Sequence, residues 1–300
     1  MSFVIFIYCA LTVVASLVGG WVPLLLRLTH RRMQIAISFV AGVMLGVGLL
    51  HLLPHSYYEL ESIDGTVWWV LVGFMLMFFL ERFFHFHHHD APDDLESSQP
   101  GHEPAMHHDH VHDHGDHAAP HGHQLSWGGA LIGLTLHSVV DGIALAAAFI
   151  AEQHEGQGPR WAGLGTFMAI VLHKPFDSMT IGTLMAAGGW SRNWRHVVNG
   201  LYSLAAPCGV ALFFLGAHQF DHAFLGRALG FAAGAFLCIA TSDLLPELQF
   251  HSHDRGKLSI ALLLGIALAW TIVYFESSGH DHSHSPAVSQ GHQHSEAHEH

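Results

Sequence analysis

The chain has 300 residues, of which half are hydrophobic and only 12% are charged. Soluble domains carry about 25% charged residues, so this composition excludes an ordinary soluble protein and favours one that spans a lipid bilayer. The formal net charge is −13 with the 31 histidines counted as neutral, and we expect no nucleic-acid partner.

Eight apolar runs are long enough to cross a bilayer, which takes about 20 helical residues each. We therefore predict an all-α integral membrane protein with eight transmembrane helices. Spans 1–3 fall within residues 1–84, spans 4–5 within 125–190 and spans 6–8 within 191–277. In chain order the runs lie at about 3–26, 33–57, 66–84, 125–151, 161–188, 196–217, 223–248 and 257–276.

Histidine is concentrated in two polar segments, 85–124 and 278–300. Thirteen histidines lie between His85 and His123, and seven lie between His280 and the end. Both segments are poor in large apolar residues and cannot bury enough surface to fold alone, so we predict that they are disordered. Two roles remain open for the loop: weak binding of several Zn²⁺ ions as a buffer or sensor, or a solvated loop with no essential role.

Basic residues are distributed unevenly between the two ends of the predicted spans. Eight of the eleven Lys and Arg lie in the joins after spans 1, 3, 5 and 7, whereas the opposite side holds only Arg160 and Arg227. In membrane proteins, the loops that are rich in Lys and Arg face the cytoplasm. This bias predicts that both termini are non-cytoplasmic and that loop 85–124 is cytoplasmic, in a cell membrane or an inner membrane.

An internal repeat relates two of the predicted spans. Shifted by 192 residues, FVAGVMLGVGLLHLLPHS (39–56) matches FAAGAFLCIATSDLLPEL (231–248), with His51 over Asp243 and His55 over Glu247. These are spans 2 and 7, which cross the membrane in opposite directions, so the match indicates an inverted-topology repeat. Spans 1–3 would then mirror spans 6–8 around a central pair, spans 4 and 5. Chance similarity among helices rich in Leu, Ala and Gly is the alternative.

The central pair carries two His-x-x-x-Asp patterns near the middle of its spans: His137 with Asp141, and His173 with Asp177. Residues four apart lie on one face of a helix. Because ionisable side chains are costly in hydrocarbon, all four must face the protein interior and find partners there.

One divalent cation would satisfy all four side chains, since two neutral imidazoles and two carboxylates form a site of charge −2. Mixed nitrogen and oxygen ligands suit Zn²⁺, with Fe²⁺, Mn²⁺, Co²⁺ and Cd²⁺ as competitors. Two alternatives stay open. Intramembrane histidines also hydrogen-bond between helices, and two His–Asp pairs also suit a proton relay.

Lys174 is the one basic residue deep within a predicted span. It is either a structural ion-pair partner of Asp141 or Asp177, or an ammonium group that fills the space of a second cation. The second hypothesis predicts a site for a single metal ion.

These residues resemble the motifs of the ZIP family of metal-ion transporters. HSVVDG, from His137 to Gly142, is similar to the family's fourth-span motif, and HKPFD is similar to its fifth-span motif at His173 and Asp177. The Leu-Leu-Pro ends of spans 2 and 7 and the histidine-rich loop are similar as well. The resemblance implies an eight-helix fold with a 3+2+3 inverted repeat, and movement of Zn²⁺ and related ions into the cytoplasm.

The resemblance also bears on the number of bound metal ions. Family members with two adjacent metals use an Asn or Ser beside the first His, an acid in span 5 and a Glu before a Pro in span 6. Here those positions hold Ser138, Lys174 and Ala206. Two of the three lack a good ligand, which favours a single site.

The predicted orientation gives the ion a path. His51 and His55 lie toward the outer mouth and form its entrance, whereas Asp243 and Glu247 lie toward the cytoplasm and form its exit. A solvated helix end is the alternative for each of these residues.

Transport of a divalent metal ion, with zinc first, by alternating access is thus the predicted function. The partners are the ion and the bilayer, a homodimer is left open, and we expect neither an enzyme nor a catalytic cofactor. A zinc-dependent intramembrane hydrolase and a metal exporter of the cation-diffusion type are the alternatives.

Overall fold

The structure, a computed structural model, describes residues 3–25, 30–84, 126–154, 162–216, 221–244 and 255–278. These residues form helices and contain no strand, which confirms the all-α prediction for this part of the chain. The predicted histidine-rich loop 85–124 lies outside the described residues, as does all but the first residue of the predicted tail 278–300. The helices are α1 Phe3–Leu25, α2 His30–Val47, α3 Leu53–Leu60, α4 Ile63–Phe84, α5 Ser126–His154, α6 Leu164–Ala187, α7 Arg192–Ser203, α8 Ala205–Gly216, α9 His222–Ile239 and α10 Arg255–Ser278.

Seven stretches of the described helices are long and apolar enough to cross a membrane, and they coincide with seven of the eight predicted spans. The predicted fifth span coincides with α6, which is a helix of 24 residues but carries His173, Lys174 and Asp177 within an otherwise apolar sequence. The seven stretches are Phe3–Trp21, Arg31–Leu60, Ile63–Phe83, Gly128–His154, Arg192–Gly216, His222–Ser242 and Arg255–Phe275.

The helices differ in how much of their surface the protein covers. Large apolar side chains such as Phe6 on α1, Trp68 on α4 and Leu263 on α10 are exposed, whereas α5 and α9 are buried along most of their length. Exposed apolar surface of this extent is stable against lipid rather than water. The molecule is therefore an integral membrane protein with α5 near its centre.

Two π-helical turns interrupt the long helices at positions 192 residues apart. Gly48–Leu52 joins α2 to α3, and Ala240–Leu244 extends α9. In the first turn the Leu53 N–H donates to the Gly48 carbonyl, which is the spacing of a π-helix. Pro54 follows and has no N–H of its own, so the normal α-helical bond cannot form there. Such turns frequently mark functional sites, and His51 lies in this one.

Close helix packing also recurs at the same offset. A Cβ atom on Gly42 of α2 would lie 2.1 Å from the Leu262 carbonyl oxygen of α10, and one on Gly234 of α9 would lie 1.9 Å from the Val70 carbonyl oxygen of α4. Only glycine permits backbones to approach this closely. The sequence match between 39–56 and 231–248 is thus accompanied by matching backbone geometry and matching packing.

Candidate metal centre

The four side chains predicted to bind metal lie together between α5 and α6. His137 and Asp141 are one turn apart on α5, and His173 and Asp177 are one turn apart on α6. Each offers one ligand atom, and these four atoms all lie within 4.8 Å of one another. Asp141 is completely buried, His137 and His173 are nearly so, and the Asp177 side chain is 13% exposed. We call this group the central cluster.

The distances within the central cluster are those of a metal-ligand shell. The two histidine Nε2 atoms are 3.3 Å apart. Asp141 Oδ2 lies 3.4 and 3.2 Å from them, and Asp177 Oδ2 lies 3.6 and 3.7 Å from them. A tetrahedral zinc ion with bonds of about 2.0–2.2 Å separates its ligands by about 3.3–3.6 Å. The spacing of the ligand atoms therefore suits such an ion.

The backbone of α6 fixes the tautomer of one neutral histidine ligand. His173 Nδ1 lies 2.8 Å from the Ala169 carbonyl oxygen. A carbonyl only accepts hydrogen bonds, so Nδ1 carries a proton, and in the neutral imidazole Nε2 is the atom with the lone pair. This orients His173 in the way that outer contacts orient metal-binding histidines.

Lys174 contacts both carboxylates of the central cluster. Its Nζ lies 2.5 Å from Asp141 Oδ2 and 3.3 Å from Asp177 Oδ2, and the side chain is almost completely buried. Asp141 Oδ1 is also buried and has no hydrogen-bond partner among the described residues. A metal ion bound by all four side chains must share the Oδ2 atoms with the ammonium group or rotate Asp141 so that Oδ1 faces it.

Tyr202 on α7 is a neighbour of the cluster that the sequence analysis missed. Its hydroxyl donates to Asp177 Oδ2 at 3.0 Å, and its ring centroid lies 5.8 Å from Lys174 Nζ. Asn199, Tyr202 and Ser203 form the buried face of α7. Helical spacing from Asn199 was the only signal in the sequence that could have found Tyr202.

A second buried group is formed by side chains of the π-helical turn Gly48–Leu52, α3 and α5. His51 and His55, predicted at the entrance of the path, join Glu152 in a set whose ligand atoms also lie within 4.8 Å of one another. His51 Nε2 is 2.9 Å from Glu152 Oε1, and Glu152 Oε2 accepts a hydrogen bond from the Gly163 N–H at 2.8 Å. Sequence reasoning missed Glu152. We call these three residues the inner triad.

The predicted exit residues are only partly visible. The backbone of Asp243 lies in the π-helical turn Ala240–Leu244, its side chain is not among those described, and Glu247 lies outside the described residues. In the same turn Ser242 Oγ donates to the Glu81 carboxylate of α4.

Comparison with known proteins gives a family. The sequence profile of ZIP zinc transporters matches residues 3–273. Zinc transporter ZIP9 of Micropogonias undulatus is 34% identical over 50% of this chain and 51% of its own length, and zinc transporter ZIP9 of Macaca fascicularis is 33% identical over 50% and 67%. Zinc transporter 3 of Arabidopsis thaliana is 24% identical over 77% and 70%.

The match to the first of these relatives spans about half of its length, whereas the family profile covers nearly the whole chain from α1 to α10. The region covered includes both His-x-x-x-Asp motifs, so the predicted resemblance is confirmed. The chain belongs to the ZIP zinc transporter family.

Proposed function

We propose that this protein carries Zn²⁺ across a membrane into the cytoplasm by alternating access, with the central cluster as its binding site. The observation that carries the proposal is the set of five distances of 3.2–3.7 Å that join the two histidine Nε2 atoms to each other and to the two aspartate Oδ2 atoms. These atoms come from the middle of helices of 29 and 24 residues. Neutral imidazoles and carboxylates suit zinc, with Fe²⁺, Mn²⁺, Co²⁺ and Cd²⁺ as competing ions.

The proposed architecture has eight spans, with α6 as the fifth, in a 3+2+3 inverted repeat. A helix of 24 residues is about 36 Å long at 1.5 Å per residue, which exceeds a hydrocarbon core of about 30 Å. The repeat is supported by the offset of 192 shared by the π-helical turns and by Gly42 and Gly234. It is also supported by the helix pairs: α2 packs on α10 as α9 packs on α4, and α1 packs on α6 as α8 packs on α5.

The proposed path runs from the inner triad through the central cluster to Asp243 and Glu247. The inward direction of this path rests on the excess of basic residues in the loops after spans 1, 3, 5 and 7, which would face the cytoplasm. Both termini are then non-cytoplasmic, and the histidine-rich loop 85–124 is cytoplasmic.

Lys174 makes the proposed central site a single-ion site. An ammonium group within hydrogen-bonding distance of both aspartates supplies one positive charge where an adjacent second cation would need the same oxygens. One Zn²⁺ then meets two carboxylates and one ammonium, a net charge of −1 before the ion arrives.

A transporter fits the central cluster better than a hydrolase does. Hydrolytic zinc keeps an open position for an activated water, usually beside three protein ligands. Four side chains at tetrahedral spacing close that position, which favours an ion that is bound and passed on.

Uptake of ⁶⁵Zn²⁺ into vesicles that contain the purified full chain tests the proposal. We expect saturable uptake by the unchanged protein, uptake at background for His173→Ala, and unchanged uptake for the control His196→Ala on α7. Undiminished saturable uptake by His173→Ala would exclude this histidine as a ligand. Loading the vesicles with zinc and measuring efflux separates import from export.

A further inference from the structure

A third group of possible metal ligands lies where α3 and α5 end and α9 begins. Glu59, His154 and His222 each offer one ligand atom, and these atoms lie within 4.8 Å of one another. His222 Nδ1 is 2.6 Å from Glu59 Oε2, and His154 Nδ1 is 3.9 Å from Glu59 Oε1. The two imidazole rings are 5.5 Å apart. We call these residues the surface triad.

The packing of α9 on α3 builds the surface triad. A Cβ atom on Gly226 would lie 2.6 Å from the Leu60 side chain and 3.0 Å from Glu59 Cβ, so only glycine lets α9 approach the end of α3 this closely. Ser56 Oγ holds the contact by donating to the Gly226 carbonyl at 2.7 Å. His222 lies one helical turn before Gly226 and is thereby placed over the Glu59 carboxylate.

Within the surface triad the glutamate is buried and the two histidines are exposed to different extents. The side chain of Glu59 is 5% exposed, that of His154 is 37% exposed and that of His222 is 72% exposed. Each carboxylate oxygen of Glu59 faces a different imidazole. Two histidines and one glutamate with an open position form a ligand set that zinc uses where exchange with solvent is required.

The surroundings also favour a cation. α3 ends at Leu60, so the negative end of its dipole lies beside the triad and favours a cation. Glu61, Asp64 and Asp221 lie close by in the chain and add negative charge that would attract cations.

The surface triad adjoins the inner triad along two helices. Glu59 follows His55 by one turn of α3, a rise of about 6 Å. On α5, His154 follows Glu152 by two residues. The surface triad therefore lies about one helical turn from the inner triad, on its more exposed side.

We propose that Glu59, His154 and His222 bind Zn²⁺ at the outer mouth and deliver it to the inner triad. The delivery step rests on the proposed transport function, whereas the binding site itself does not.

Chemical modification of individual histidines tests the site in the full chain. Diethyl pyrocarbonate modifies solvent-accessible imidazoles, and peptide mass spectrometry reports His154 and His222 separately from the histidine-rich segments. We expect increasing Zn²⁺, in a zinc-buffered solution, to protect both residues. Glu59→Gln should weaken the protection of His154 about tenfold or more. Glu61→Gln, the same chemical change two residues away, should weaken it far less, because Glu61 supplies only nearby charge and no ligand atom.

Two results would overturn the site: no protection of His154 by zinc in the unchanged protein, or equal protection in Glu59→Gln. Because His173→Ala removes only the central cluster, it should keep the protection of His154. Failure of transport and failure of this site are therefore distinguishable.

The delivery step is tested by uptake kinetics. His222 is mostly exposed, so His222→Ala should fold normally. We expect its KM for ⁶⁵Zn²⁺ uptake to rise about tenfold with an unchanged maximal rate. An unchanged KM would overturn delivery, while the protection experiment decides the site.

Discussion

The central cluster and the inner triad are both buried groups of histidine and carboxylate, yet they hold their carboxylates differently. In the central cluster both aspartates face two imidazoles and the Lys174 ammonium. In the inner triad, Glu152 is held by the Gly163 N–H and by His51. A metal ion at the inner triad must replace the His51–Glu152 bond, and one at the central cluster must compete with Lys174 for Asp141. The central cluster, however, offers four ligand atoms rather than three.

The central cluster and the inner triad carry the same net charge, so charge does not explain a difference in zinc affinity between them. With neutral histidines, two aspartates and one lysine give the central cluster a charge of −1, and Glu152 alone gives the inner triad the same charge. The number of ligands and their arrangement therefore decide where an ion is held longest. We expect the central cluster to bind zinc more tightly and the inner triad to pass it on.

The largest expected effect comes from Asp141→Asn. The change removes a ligand charge and leaves the buried Lys174 with Asp177 as its one carboxylate partner. Breaking a buried ion pair in this way costs about 3–5 kcal/mol, and uptake of ⁶⁵Zn²⁺ should fall about a hundredfold. The thermal unfolding midpoint in detergent should fall as well.

A double variant separates folding from binding in that experiment. Asp141→Asn combined with Lys174→Met removes the unpaired ammonium and should recover most of the unfolding midpoint, while uptake stays at background. Recovery of uptake along with stability would mean that Asp141 serves the fold rather than the ion.

Lys174→Met alone should lower the KM for zinc uptake about tenfold. Removing a positive charge close to both aspartates strengthens the attraction for Zn²⁺, so KM should fall. The maximal rate should fall too, because the ion is released more slowly. A lower unfolding midpoint with unchanged KM would instead identify Lys174 as a structural ion-pair partner only.

Glu152→Gln tests the inner triad and should have a smaller effect. The amide keeps the shape of the side chain and can still accept the Gly163 N–H, so the fold should persist. The lost charge should raise KM for zinc about fivefold to tenfold with little change in maximal rate. A fall in the maximal rate at constant KM would contradict a role at the entrance.

The two groups also differ in how far the sequence predicted them. The central cluster repeats one local pattern, four residues apart on each of two adjacent helices, and helical geometry alone brings each pair to one face. Glu152 pairs with a residue 101 positions away, and it stands in a polar stretch at the end of α5 that is typical of a helix terminus. Only the tertiary fold brings the two together.

The fold likewise has features that local sequence patterns predict and features that they do not. Length and apolarity predicted eight spans, of which seven coincide with the long apolar stretches of the structure. The fifth coincides with α6, whose charged residues keep it out of that apolar set. The repeat could be predicted from the matching residues of 39–56 and 231–248. The π-helical turns could not be predicted, because nothing in Gly48–Leu52 except the following Pro54 disfavours an ordinary α-helix. Tyr202 was missed because a tyrosine on a buried helical face is most often a packing residue.

The smallest expected effect is that of Tyr202→Phe. The phenylalanine keeps the ring near Lys174 and removes only the hydroxyl that donates to Asp177 Oδ2. A hydrogen bond of this kind contributes about 1 kcal/mol, so KM for zinc should rise about twofold to fivefold while the unfolding midpoint moves little. Tyr58→Phe, on the exposed side of α3, is the matched control and should leave KM unchanged. If Tyr202→Phe lowers the unfolding midpoint but leaves KM at its original value, the hydroxyl stabilises α7 against α6 and does not orient Asp177 for the ion.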